Sequence, residues 1–183
     1  MLFFNIDHIE RALLSQSRKA SSKFFFGSAC MCEVFARLEN AEPTKAALPA
    51  KRAAEHFEVA ANSFRALAET ISIQYSWVKE AVKGVSFADA ARDVRLSPDS
   101  RLVQTVTAEL LRDGLDGVLR SCADEVSQFA GRLRQVSSRV LSKNVLLDFE
   151  YEQAHSLLGD WRALATRGQY VSSVCLQSAR VSA

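Results

Sequence analysis

The sequence predicts an all-α protein, an up-down-up-down bundle of four long helices in a single domain spanning 1–183. Three observations carry that prediction. Chain breakers are scarce, with 7 Gly and 3 Pro in 183 residues, and a sandwich or barrel needs many more turns than these can make. Apolar residues recur in alternating steps of three and four, the helical period, over stretches of roughly 35 residues, or about 50 Å of helix. The composition, 48% hydrophobic and 24% charged, suits a sizeable core rather than disorder.

The first helix, 6–40, can be capped by Asn5 or Asp7. Its stripe runs Ile9, Leu13, Ser17, Ala20, Phe24, Gly27, Met31, Val34 and Leu38. Around Phe24-Phe25-Phe26 the apolar character spreads. With Ala29, Cys30, Met31 and Cys32, nearly every direction round the helix is apolar, which marks a helix that is central or covered by a second molecule. Residues 40–48 contain Pro43 and precede Pro49. They read as a loop, with Pro49 opening the second helix, 49–83. That helix carries Ala53, Phe57, Ala60, Phe64, Leu67, Ile71, Tyr75, Val78 and Val82, with Gly84 as its stop.

A short extra helix is expected at 86–95, around Phe87, Ala91 and Val94. Ser97-Pro98-Asp99 reads as the cap and first turn of the third helix, 98–141. Its stripe includes Leu102, Val106, Leu110, Leu115, Val118, Cys122, Val126, Phe129, Leu133, Val136 and Val140. The phase slips near 113–117, where Gly114 and Gly117 each cost about 1 kcal/mol in a helix and predict a kink or break. After a turn at Ser142-Lys143-Asn144, the fourth helix, 145–179, carries Leu147, Tyr151, Ala154, Leu158, Trp161, Ala165, Gly168, Val171 and Cys175. Equal-length helices with short connections favour antiparallel neighbours.

The formal net charge of +2 is too balanced to mark a nucleic-acid protein, so no nucleic-acid partner is expected. No stretch approaches the ~20 apolar residues of a membrane span. Met1-Leu2-Phe3-Phe4 is soon interrupted by Asp7, His8, Glu10 and Arg11, unlike a secretory leader. Cys30 and Cys32 stand two apart and on a helix point about 200° from each other, so they neither share a metal nor pair without strain. With Cys122 and Cys175 they read as reduced core thiols, which suggests a cytoplasmic location.

Three histidines, His8, His56 and His155, bound the enzyme options. Glu152 and His155 have the spacing of di-iron bundle sites, but no second Glu-x-x-His occurs, so no metal is expected. Arg52 and His56 resemble the Arg–His pair of helical ribonuclease domains, whose spacing is longer. No phosphate loop, dinucleotide fingerprint or nucleophile elbow is present. The basic run Arg132, Arg134, Arg139 and Lys143 reads as a solvated helix face. Trp77 and Trp161 read as core anchors, and Tyr75 and Tyr151 as stripe-edge residues.

The string Ala154-His155-Ser156-Leu157-Leu158-Gly159 resembles the Ala-His-Ser/Thr-Leu-Lys-Gly motif of histidine phosphotransfer domains. Those domains are four-helix bundles that pass a phosphoryl group between response regulators. The resemblance covers six residues. It implies His155 as phosphoacceptor, with Gly159 one turn on leaving room for a receiver. Leu158 stands where the motif has lysine, and Glu152 and Asp160 flank the histidine.

The chain therefore reads as a non-catalytic interaction or adaptor protein without cofactor or metal, self-associating through its Phe-rich first helix. Its expected partner is a protein, a second copy of itself, or both. The partner-binding residues expected are Phe24, Phe25, Phe26, Met31 and Phe35. One alternative is a phosphorelay protein carrying phosphate on His155. A second is a small-molecule-sensing bundle, in which Gly114, Gly117, Gly159 and Gly168 open a gap between helices.

Overall fold

The computed structural model describes residues 6–74 and 82–181, and among these there is no strand. Among the described residues there are five α-helices, α1 (Ile6–Glu39), α2 (Pro43–Gln74), α3 (Phe87–Asp93), α4 (Arg101–Arg139) and α5 (Asp148–Val181), with a 3-10 turn at Val82–Gly84. They pack side by side as a bundle. α1 lies on α2 and α5, α4 lies on α2 and α5, and α3 rests on α5. Tyr75, Trp77 and Val78 fall outside the described residues, as do Phe3, Phe4 and the side chain of His8.

The apolar periodicity translates into burial along the first three long helices. On α1, every stripe position from Leu13 to Leu38 is buried, and on α2 every one from Ala53 to Ile71. On α4 the stripe is buried from Val106 to Val140. Four phenylalanines meet at the centre: Phe24 lies 5.9 Å from Phe57 and 5.4 Å from Phe64, and Phe57 lies 5.4 Å from Phe129. Two glycines make room for this cluster. A Cβ at Gly27 would stand 2.8 Å from the Phe57 ring, and one at Gly168 2.9 Å from the Phe24 ring. Phe57 thus sits in a notch of α1 and Phe24 in a notch of α5.

Three boundaries differ from expectation. Residues 43–48 are helical, so α2 opens at Pro43 and Pro49 lies inside it. Pro49 lacks the N–H that would reach the Lys45 carbonyl, a defect worth about 3 kcal/mol in a helix interior. Burial of Ala46, Pro49 and Ala50 offsets it, and Ser137 of α4 donates to the Ala47 carbonyl at 2.8 Å. The turn between α1 and α2 is correspondingly short. Ala41 takes a left-handed conformation, φ 56°, and the Glu42 N–H donates to the Arg37 carbonyl at 2.9 Å. That is a glycine-type helix ending built on alanine.

The second difference is the start of α4. Ser97-Pro98-Asp99 closes a turn, Ser100 N–H donating to the Ser97 carbonyl at 3.0 Å, and Ser100 is the cap, accepting from Val103 N–H at 3.4 Å. Proline serves a turn as well as a helix start, so the string suits both. The third is the start of α5, at Asp148 rather than 145; Leu147 before it and Tyr151 within it are exposed, while Glu150, Ala154 and Leu157 are buried. The expected kink is present: Gly114 has φ 75° and ψ 168°, non-helical values that divide α4. The expected short helix is α3, with Ser86 as its cap.

Candidate interaction surfaces

The five residues expected to bind a partner separate into two groups. Phe24, Met31 and Phe35 are 3%, 0% and 7% exposed. They belong to the intrachain core, because they lie on or beside the α1 stripe that meets α2 and α5. Phe25 and Phe26 are 69% and 48% exposed. A helix cannot turn three consecutive side chains inward, so the Phe24-Phe25-Phe26 run sends one ring into the core and two outward. The outward rings lie 5.9 Å apart. Phe26 leans on His56 of α2 at 5.7 Å, and the Lys23 ammonium lies 6.0 Å from its ring centre. His56, the histidine of the Arg52–His56 pair, is thereby a packing partner of Phe26.

A second apolar surface lies where the α1–α2 and α4–α5 turns meet. Val145, Leu147, Phe149 and Tyr151 are exposed. Beside them Leu38, Ala41, Pro43, Leu146 and Tyr151 line a cleft of about 220 Å³. Sequence reasoning missed this surface because Leu147 and Tyr151 fit the helical period. The signal that could have found it is the period-two alternation from 145 to 151. Glu150 anchors the segment. Its carboxylate pairs with Lys143 and accepts the Leu147 N–H at 3.1 Å, the reciprocal half of a capping box. Those hydrogen bonds, the Lys143 one first, hold its pKa below the ordinary carboxylate value.

His155 is half-buried, between Tyr151 with ring centres 4.7 Å apart and Phe35 at 5.6 Å. Its Nε2 shares a 3.0 Å hydrogen bond with the Tyr151 hydroxyl. Nearby, Trp161 stacks on Phe35 at 6.3 Å and donates its indole N–H to Ser28 at 3.0 Å. Around Gly159 the surface is open, with no atom within 4 Å of a Cβ placed there. Asp160 is engaged by Arg132 at 2.8 Å, so one member of the basic run joins α4 to α5.

Between α4 and α5 a polar cluster stands beside the apolar packing. The Arg167 guanidinium stands 3.0 Å from Glu109 and 3.5 Å from Glu125, and Thr107 and the buried Tyr170 share a 2.8 Å hydrogen bond. Leu102, Val106, Leu164 and Arg167 line a cleft of about 410 Å³ beside it. Of the glycines expected to open a ligand gap, Gly168 is filled by Phe24. The thiols also divide. Cys122 and Cys175 are core residues whose pKa burial pushes up to about 12, whereas Cys30 is half-buried and Cys32 is on the surface.

Among the described residues, no three His, Cys, Asp or Glu side chains gather in a group able to hold a metal. No helix among them is long and apolar enough to cross a membrane. Comparison of the chain with protein families, curated proteins and solved structures finds no match.

Proposed function

We propose that the protein is a non-catalytic, self-associating helical-bundle adaptor. The single observation that carries this reading is the outward pair Phe25 and Phe26 on a helix whose inward face is already fully used. Grouped large apolar side chains on a surface mark an interface, whereas scattered ones do not. An adaptor needs two faces, and the Val145–Tyr151 surface at the turn end supplies a second, for a different protein. The bundle is read as up-down-up-down. Supporting this, contacts between neighbouring long helices step in opposite chain directions: Phe24–Phe64 then Phe26–His56, and Gly168–Phe24 then Trp161–Ser28. Four thiols outside any disulfide accord with a reducing, cytoplasmic setting.

The test is assembly state. Phe25→Glu is expected to shift the wild-type oligomer to monomer in sedimentation velocity while leaving helical circular dichroism unchanged. Loss of helicity would make Phe25 a core residue, and a monomeric wild type would end the self-association reading. A tagged pull-down from the native lysate tests the second face, with Phe149→Glu expected to release the captured protein. The alternative, phosphotransfer through His155, predicts acid-labile labelling that vanishes in His155→Gln. The hydrogen bond between Nε2 and the Tyr151 hydroxyl would have to break before that nitrogen took a phosphoryl group.

A further inference from the structure

α1 carries a second stripe, on the face turned away from the core. Arg18, Ser22, Phe25, Ala29, Cys32 and Ala36 are all exposed, and they follow one another at steps of four, three, four, three and four. From Phe25 to Ala36 this is the spacing by which one helix can pack on another by knobs into holes. Its one large apolar side chain is Phe25. Ala29, Cys32, Glu33 and Ala36 stand at the i, i+3, i+4 and i+7 positions that frame a hole, and three of the four are small.

The charges on this face are divided by position. Among the described side chains, its N-terminal half bears Arg11, Arg18 and Lys19, all exposed, and its C-terminal half Glu33 and Glu39, also exposed. Arg37, which stands 3.7 Å from Glu33, is held more closely by Glu42 at 3.1 Å. A face that is basic at one end and acidic at the other is complementary to itself only when the second copy runs the opposite way.

We propose that two copies of this chain pair through α1 in antiparallel orientation, about a two-fold axis at the level of Ser28 and Ala29. This deepens the self-association reading above and rests on it. In that register Phe25 of each copy is level with Cys32 of the other and enters the Ala29–Cys32–Glu33–Ala36 hole. Arg18 is level with Glu39, and Lys19 lies one residue from the same level. The Phe25 insertion and the Arg18–Glu39 pair each occur twice by symmetry, and Ala29 meets its own equivalent beside the axis. The two Cys32 residues then stand about 10 Å apart along the helix axis, beyond the Cα separation a disulfide allows. Parallel pairing would instead place Cys32 against Cys32 and basic ends against each other.

Disulfide trapping separates these arrangements. Under a mild oxidant, Ala29→Cys in a Cys32→Ser background should form a covalent dimer on non-reducing electrophoresis, and the wild-type chain should not. Charge reversal gives an independent check. Arg18→Glu should weaken the dimer roughly three- to tenfold, as expected for two surface ion pairs, and adding Glu39→Arg should restore it. A Cys32–Cys32 dimer in the wild-type chain, or a dimer that Arg18→Glu with Glu39→Arg fails to restore, overturns the antiparallel register while leaving self-association intact. A chain that sediments as a monomer at tens of micromolar overturns both.

Discussion

α2 and α5 are nearly equal in length, 32 and 34 residues, and they reach the core with different buried residues. α2 buries Ala46, Ala50, Ala53, Ala54, Ala60, Ala61 and Ala68 around Phe57, Phe64, Leu67 and Ile71. Small residues let it lie close against α1 and α4, and two of its bonds to α4, Arg65 to Asp124 at 3.0 Å and Glu58 to Ser127 at 3.1 Å, lie outside that packed face. α5 buries Ser172, Ser173, Ser178 and Tyr170 beside Val171, Val174 and Cys175. It is tied to its neighbours by individual bonds: Tyr170 to Thr107, Arg167 to Glu109, Asp160 to Arg132, Gln177 to Asp93 at 3.0 Å. The contrast teaches that one bundle can hold one helix by area and another by specific bonds. The first mode is tolerant of small shifts. The second depends most on the Tyr170–Thr107 pair, because a buried polar group left unpaired costs more than a made bond gains.

The contrast breaks most visibly at Phe57. Phe57→Ala removes the ring that fills the Gly27 notch and touches Phe24 and Phe129. A loss of about 3–5 kcal/mol is expected, read as a lower urea midpoint at unchanged slope. A loss below 1 kcal/mol would mean that the aromatic cluster is not what holds α2. On the other side, Tyr170→Phe deletes one oxygen and almost no volume. A cost of about 1–2 kcal/mol is expected, since Thr107 loses its partner, and the same change in a Thr107→Val background should cost less. If Tyr170→Phe is neutral in both backgrounds, α5 is held by area after all.

How much of this was legible follows the same division. The buried faces of α1, α2 and α4 are written in the apolar period, because burial by area requires an apolar residue every three or four positions. The Gly114 kink was legible too, since two glycines interrupt the stripe there. The start of α5 was not. Leu147 and Tyr151 continue the period but are exposed, and the buried residue is Glu150, whose place is fixed by Lys143 and the Leu147 N–H. Such a bond has no periodic trace. The α1–α2 turn was hidden for a related reason: Ala41 adopts a glycine conformation, and nothing local announces it. Of the expected surface, the Phe24-Phe25-Phe26 run located the right helix. It could not say which rings point out, because that depends on where the core stripe lies relative to the run.

The smallest expected effect tests Glu150 itself. Its pKa is lowered by the Lys143 contact first and by the Leu147 N–H second. A carboxylate with a lowered folded pKa adds stability that is complete above its ordinary value of 4.5 and is lost as the pH falls through the lowered value. Glu150→Gln keeps the shape but not the charge. At neutral pH it should therefore melt slightly below wild type, and the gap should close as the pH is taken down through the acid range, because the wild-type residue is then protonated as well. The exposed Glu152→Gln change controls for the loss of one negative charge on the same helix. A gap that persists at low pH would mean that it does not come from the carboxylate charge; glutamine keeps the shape and an acceptor for the Leu147 N–H. One that never opens would mean that the α5 start is held by the buried Ala154 and Leu157, and the division between the two helices would begin further along the chain.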